Sequence, residues 1–172
     1  MNTNGNTYTI VYTAVIVIVV AGILAAAASF LKPAQQANIK AETISQMLQA
    51  AQFSTDGLNN VGKLDKYAQE IDRAFTIDAS GAKIRDLSVE RSNIELVDGL
   101  KAQNYAIAGK GGYELGLPVY ILKDGVTLIP CYGAGLWGPV WGYIAIEPDG
   151  TTIKGAYFDH ESETAGLGAR IK

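Results

Sequence analysis

The run WGYIAIEPDGTTIKGAYF, residues 141–158, decides the fold class. Two strand-like segments, 141–146 and 151–158, flank Glu147-Pro148-Asp149-Gly150. Aromatic and β-branched residues suit a pleated, half-buried surface. Pro-Asp-Gly between them is a turn signal, because proline presets one dihedral and glycine accepts the positive φ that closes the turn. The segment therefore reads as a β-hairpin.

The same pattern recurs upstream. Residues 119–122 and 126–129 flank Lys123-Asp124-Gly125, and Phe75-Thr76-Ile77 is followed by Asp78-Ala79-Ser80-Gly81 and a further strand from Ala82. Before these hairpins the period changes. Residues 35–53 lack Gly and Pro, with Ile39, Ile44, Met47, Leu48 and Ala51 at roughly helical spacing. Asn59-Asn60-Val61-Gly62 reads as a break, and residues 64–75 as a second helix, apolar at Leu64, Tyr67, Ala68, Ile71 and Phe75. Helices followed by antiparallel hairpins give an α+β fold.

The N-terminal end differs in kind. Residues 10–31, IVYTAVIVIVVAGILAAAASFL, contain only Thr13, Gly22 and Ser29 outside the apolar set. At about 1.5 Å per residue this run crosses about 30 Å of hydrocarbon. Tyr8 and Tyr12 stand where an interfacial aromatic belt would lie, and Lys32-Pro33 closes the span. A cleaved signal peptide fits less well, because the apolar run is long and residues 1–9 carry no Lys or Arg. The expected organisation is a flank at 1–9, a transmembrane helix at 10–31 and an α+β domain at 32–172. Lys32 and Lys40 follow the span, which by the positive-inside rule alone would put the domain in the cytoplasm.

Composition bounds the chemistry. The 172 residues hold 14 Lys and Arg against 17 Asp and Glu, all of them at or after Lys32. No basic footprint exists for a phosphate backbone, so nucleic acid is not an expected partner. One cysteine, Cys131, leaves no internal disulfide and reads as a small buried hydrophobe. One histidine, His160, argues against zinc sites rich in histidine. The run Asp159-His160-Glu161-Ser162-Glu163 is not a zincin, because HExxH would require histidine where Thr164 stands. A solvated strand end is the simpler reading, and no metal is expected.

Gly133-Ala134-Gly135-Leu136-Trp137-Gly138 satisfies the G-x-G-x-x-G expression. A dinucleotide fold would need a strand before it and a helix after it. Here Pro139 and a strand-like segment follow, so a glycine-rich loop between strands is expected. Trp137 and Trp141 are the only tryptophans and stand among glycines. Both core packing and stacking on a flat ligand suit such residues.

Two stretches together are more specific. The G-x-G-L-W-G loop runs into Val140-Trp141-Gly142-Tyr143, and about twenty residues later comes Glu163-Thr164-Ala165-Gly166-Leu167-Gly168. This pairing resembles the FMN-binding domain of the C subunit of the Na⁺-translocating NADH:quinone reductase, with a related domain in the G subunit of the Rnf complex. The specific resemblance covers residues 129–172. It implies a flavoprotein subunit of an oxidoreductase that pumps sodium while oxidising NADH and reducing ubiquinone. Such a subunit relays electrons through covalently bound FMN and is not catalytic alone. It further implies a single-pass location in a bacterial inner membrane with the domain in the periplasm, contrary to the charge rule above. Its partners would be the other subunits and the lipid bilayer. The ring contacts carried over are Trp137, Glu163, Thr164, Gly166, Leu167 and Gly168. Ala165 stands where proline is common.

In the family the FMN phosphate is joined to threonine in an S/T-G-A-T motif downstream of the ring loop. That motif is absent from these 172 residues, and the resemblance implies a longer chain. Ser80-Gly81-Ala82-Lys83 has lysine in place of the threonine and lies upstream, and Thr164 belongs to the ring loop. The alternative readings are a non-flavinylated structural or assembly subunit, or an electron-relay subunit of an Rnf-type complex.

Overall fold

A computed structural model describes residues 5–97, 105, 116–136 and 138–162. The chain divides into two compact units, Met1–Ile39 and Lys40–Lys172. Helix α1, Asn6–Ala50, contributes to both.

Over residues 10–31 the helix is apolar around its whole circumference. Ile10, Val17, Ile18, Ile23, Leu24 and Phe30 are all exposed. A helix that is apolar all round has no aqueous face, and this one is long and apolar enough to cross a membrane. Tyr8 and Tyr12, one turn apart, stack with ring centroids at 6.0 Å. Pro33 lies inside the helix, which runs on past the end of the apolar span at Lys32-Pro33. Proline lacks the N–H that would bond the carbonyl of Ser29, but its φ fits a helix, and the turns on both sides carry the helix through.

The second unit packs two helices on one antiparallel sheet. Its strands are β1 (Ile71–Ile77), β2 (Lys83–Leu87), β3 (Leu117–Leu122), β4 (Thr127–Ala134), β5 (Pro139–Ile146) and β6 (Ile153–His160). They lie in the order β2-β1-β3-β4-β5-β6. All three hairpins read from the sequence are present: β1–β2, β3–β4 and β5–β6. The turn of the last shows the expected chemistry. Gly150 has φ +72°, and Asp149 accepts from the backbone N–H groups of Thr151 and Thr152.

The end of α1 buries Ile44, Met47, Leu48 and Ala50 in the core, with Ala51 just beyond the helix. Ile39, expected on this stripe, is 66% exposed. It precedes Ile44 by five residues, which at about 100° per residue turns it roughly 140° away. The helix stops at Ala50 with a Schellman closure. Phe53 N–H bonds the Leu48 carbonyl and Gln52 N–H bonds the Gln49 carbonyl, with Gln52 left-handed at φ +66°. Gln52 Nε2 then donates to the Lys154 carbonyl on β6.

The second helix, α2, is Asn60–Glu70, not 64–75. The Asn59–Gly62 segment read as a break is its start: the Asn59 side chain accepts from Gly62 N–H as an N-cap. Ile71 and Phe75 belong to β1. Their four-residue spacing satisfies both periods, and pairing with β3 decides it, Ile71 with Leu122 and Phe75 with Val119. The core between helices and sheet is Ile44, Met47, Leu48, Tyr67, Ile71, Ala74, Tyr120, Leu122, Leu128, Tyr143 and Ala145.

Candidate functional site

The glycine-rich loop is the tip of the β4–β5 hairpin. Ala134 pairs with Pro139, and Gly135 N–H bonds the Gly138 carbonyl at 2.8 Å. A Cβ on Gly135 would lie 2.7 Å from that carbonyl oxygen and 2.7 Å from Val140 Cγ2, so no larger residue fits without displacing backbone. Leu136 is 89% exposed at the tip. The strand–loop–strand context excludes the dinucleotide fingerprint, which must open a helix.

The same tip meets the end of β6. Gly138, at φ +153°, faces Glu161: a Cβ there would lie 3.3 Å from Glu161 Oε2 and 3.4 Å from its Cβ. Glu161 N–H bonds the Pro139 carbonyl. The G-x-G-L-W-G loop and the entry to Glu163–Gly168, about twenty residues apart in sequence, thus converge at one end of the sheet. The expected ring contacts Trp137, Glu163, Thr164, Gly166, Leu167 and Gly168 lie outside the described residues. What is described is a glycine hairpin with a bare apolar tip, Leu136, beside a carboxylate. Close backbone approach with an apolar surface fits a flat aromatic cofactor such as FMN.

Behind this end of the sheet lies a buried polar network that the sequence did not reveal. Trp141 on β5 and Asp159 on β6 are cross-strand partners. Gln46, from α1, bridges them. Its Nε2 donates to Asp159 Oδ2 at 3.2 Å, and its Oε1 accepts from Trp141 Nε1 at 3.3 Å. Asp159 Oδ1 accepts from the His160 backbone N–H at 2.9 Å. Gln46 is 5% exposed and Asp159 8%. The expectation that Asp159 ends a solvated strand is therefore corrected. The strand period could have shown it, since Asp159 shares a face with Tyr157, which packs against the core. Cys131 is half-buried on β4 opposite Gly142, and burial pushes its thiol pKa up, away from nucleophilic chemistry. Ser80-Gly81-Ala82-Lys83 is the β1–β2 turn, tied by Asp78 Oδ1 to the N–H groups of Ser80 and Ala82.

The FMN-binding domain family matches residues 135–172, beginning at the first glycine of the hairpin tip. The C subunit of the Na⁺-translocating NADH-quinone reductase of Haemophilus ducreyi is 28% identical over 162 residues, covering 87% of this chain and 60% of that protein. The crystal structure of the C subunit from Parabacteroides distasonis superposes with a TM-score of 0.65 at 29% identity, over 82% of this chain and 63% of that one. NqrC of Shewanella oneidensis gives 0.58 at 26%, over 76% and 63%.

The resemblance is to the C subunits of the Na⁺-translocating NADH-quinone reductases.

It extends well beyond the loops that first carried it. The likeness covers 82–87% of this chain, far more than the FMN-binding region alone. The α+β fold expected from the hairpins is the fold of those proteins. The chain spans about three-fifths of the length of these relatives.

Proposed function

We propose that this chain is a membrane-anchored flavoprotein subunit that relays electrons through FMN in a sodium-translocating NADH:quinone oxidoreductase. One observation carries the reading: the glycine hairpin at 135–138 stands against Glu161, at the start of the loop that would hold the ring, within the region matching FMN-binding domains. FMN supplies reversible one-electron chemistry when bound. The chain's own residues supply a seat. Gly135 and Gly138 bring backbone close, Leu136 and Trp137 offer apolar surface, and Glu163, Thr164, Gly166, Leu167 and Gly168 complete the ring loop. A held flavin does not diffuse away between electron transfers, which is the purpose of covalent attachment in the family.

The apolar helix at residues 10–31 anchors the domain in the bacterial inner membrane, with the domain on the periplasmic side. Its partners are the bilayer and the other subunits of the complex. No acidic or basic side chain lies in the span, whose one phenol is Tyr12 near its edge, so the helix serves as an anchor and not as an ion path.

The test is in-gel fluorescence. The membrane complex is denatured, separated and viewed under ultraviolet light, with the bands assigned by mass spectrometry. A fluorescent band at the mass of this protein supports covalent FMN. Absence of flavin from it in the native complex as well overturns the proposal and favours an assembly role. Protease added to right-side-out vesicles should cleave the domain, and full protection there would refute the periplasmic orientation.

A further inference from the structure

The strands that carry the two loops are paired along their backbones and are also bridged by one side chain. Trp141 lies three residues after Gly138, and Asp159 lies four before Glu163. Gln46 reaches both, with one end of its amide on each strand. The Gln46 amide and the Asp159 carboxylate are buried and the Trp141 indole is half-buried, and a buried polar group left unpaired costs about 1–3 kcal/mol. Each therefore holds the others to one geometry. Asp159 is a particularly strict member, because its second oxygen already takes the His160 backbone N–H. Rotating that carboxylate to follow a displaced Gln46 would also release the first residue past it on β6. The Gln46 contact thus bears on the end of β6, at Asp159 and His160.

We propose that Gln46 is a positioning residue for the flavin. It clamps Trp141 to Asp159 and so sets the spacing between the glycine hairpin and the loop that follows β6. The proposal rests on the flavin reading given above. Gln46 does not touch the ring; it acts through the two strands. Preorganised sites depend on such supporting contacts, because errors of about 0.5 Å in the residues that touch the ligand already matter.

The experiment uses the full chain isolated with its membrane complex, comparing wild type, Gln46→Met, the double variant Gln46→Glu/Asp159→Asn, and Ser45→Ala. Methionine keeps the length and volume of glutamine and removes both hydrogen bonds. The double variant moves the charge from strand to helix and reverses the donor. The carboxylate introduced at position 46 then accepts from the amide introduced at position 159 and from Trp141. The oxygen of that new amide still accepts from His160 N–H. Ser45→Ala removes a different buried bond of the same helix, to Thr55 at 2.8 Å. The readouts are amide exchange at His160 and Glu161 and the visible circular dichroism of the flavin, which reports ring orientation.

Gln46→Met should speed exchange at these amides about tenfold, the equivalent of losing one buried hydrogen bond, and at least halve the flavin signal. The double variant should restore both, and Ser45→Ala should change neither. Unchanged exchange in Gln46→Met overturns the clamp. Faster exchange with an unchanged flavin signal overturns the positioning role. Failure of the double variant to restore the signal does the same. A wild-type chain without a flavin signal overturns the flavin reading itself, and with it this inference. That outcome is distinguished by appearing before any substitution is made.

Discussion

Gly142→Ala tests how tightly the strands beneath the candidate site are packed. Gly142 sits mid-strand in β5, between Cys131 of β4 and Phe158 of β6. A Cβ added there would lie 2.3 Å from the Tyr157 carbonyl oxygen and 2.4 Å from Phe158 Cδ1. Ordinary carbon contacts lie at about 3.5–4.0 Å, so strand β6 or the Phe158 ring must move by about 1 Å. The ring could swing aside, but the carbonyl belongs to backbone paired with β5. Overpacking by a single methyl usually costs about 1–3 kcal/mol, and the backbone clash places this case near the top of that range. Alanine in place of a strand glycine recovers roughly 0.5–1 kcal/mol of backbone entropy, leaving a net loss of about 2 kcal/mol. For a domain of this size each kcal/mol corresponds to about 4 °C, so Tm should fall by about 8 °C. Thermal unfolding followed by far-ultraviolet circular dichroism measures it. An unchanged or raised Tm would refute the close packing of Phe158 over Gly142. A second consequence is local: the displacement occurs just before Asp159, so amide exchange at His160 should rise in the same variant.

Tyr67 is wholly buried, and its hydroxyl has no hydrogen-bond partner among the described residues. Burial, with Tyr120 and Tyr143 nearby, drives its pKa far up. Tyr67→Phe should therefore leave stability unchanged or raise it by about 1 kcal/mol in urea unfolding, and a marked loss would reveal a partner for the hydroxyl. Asp149 is held down to a pKa of about 2 by the Thr152 hydroxyl and the Thr151 and Thr152 N–H groups. Its folded pKa lies below the unfolded value of about 3.9, so its stabilisation is present above about pH 4 and is lost as the pH falls toward about 2. Asp149→Asn should flatten the fall of the urea midpoint in that window, and an unaltered slope would count against the turn. Gly138→Val places a branched side chain on a φ of +153° against Glu161 and should reduce bound flavin at least several-fold, as read from absorbance per chain. Leu167→Asp should abolish flavin retention, and undiminished in-gel fluorescence would remove Leu167 from the ring loop.

The hairpins are legible because their turns carry local chemistry: Asp78, Asp124 and Asp149 each accept backbone N–H groups within their own loop. Helix α2 differs from its expected range at both ends for the opposite reason. Asn59 and Gly62 read as a break until one caps the other, and Ile71 and Phe75 fit either period until β3 pairs with them. Ile39 falls off the buried stripe because spacing alone does not say where the stripe begins.

The sequence by itself determined the apolar span, the α+β class and the likeness to the sodium-pump family. Each is written in neighbouring residues, as an uninterrupted apolar run, a turn motif or a short signature. The tertiary structure decided that the glycine hairpin meets Glu161, and that Gln46 bridges Trp141 and Asp159 across 95 and 113 residues of chain. Such contacts leave no local trace. A glutamine on a helix and an aspartate at a strand end are ordinary surface residues until the sheet and helix pack. Once buried, their polar groups must satisfy each other because water no longer can.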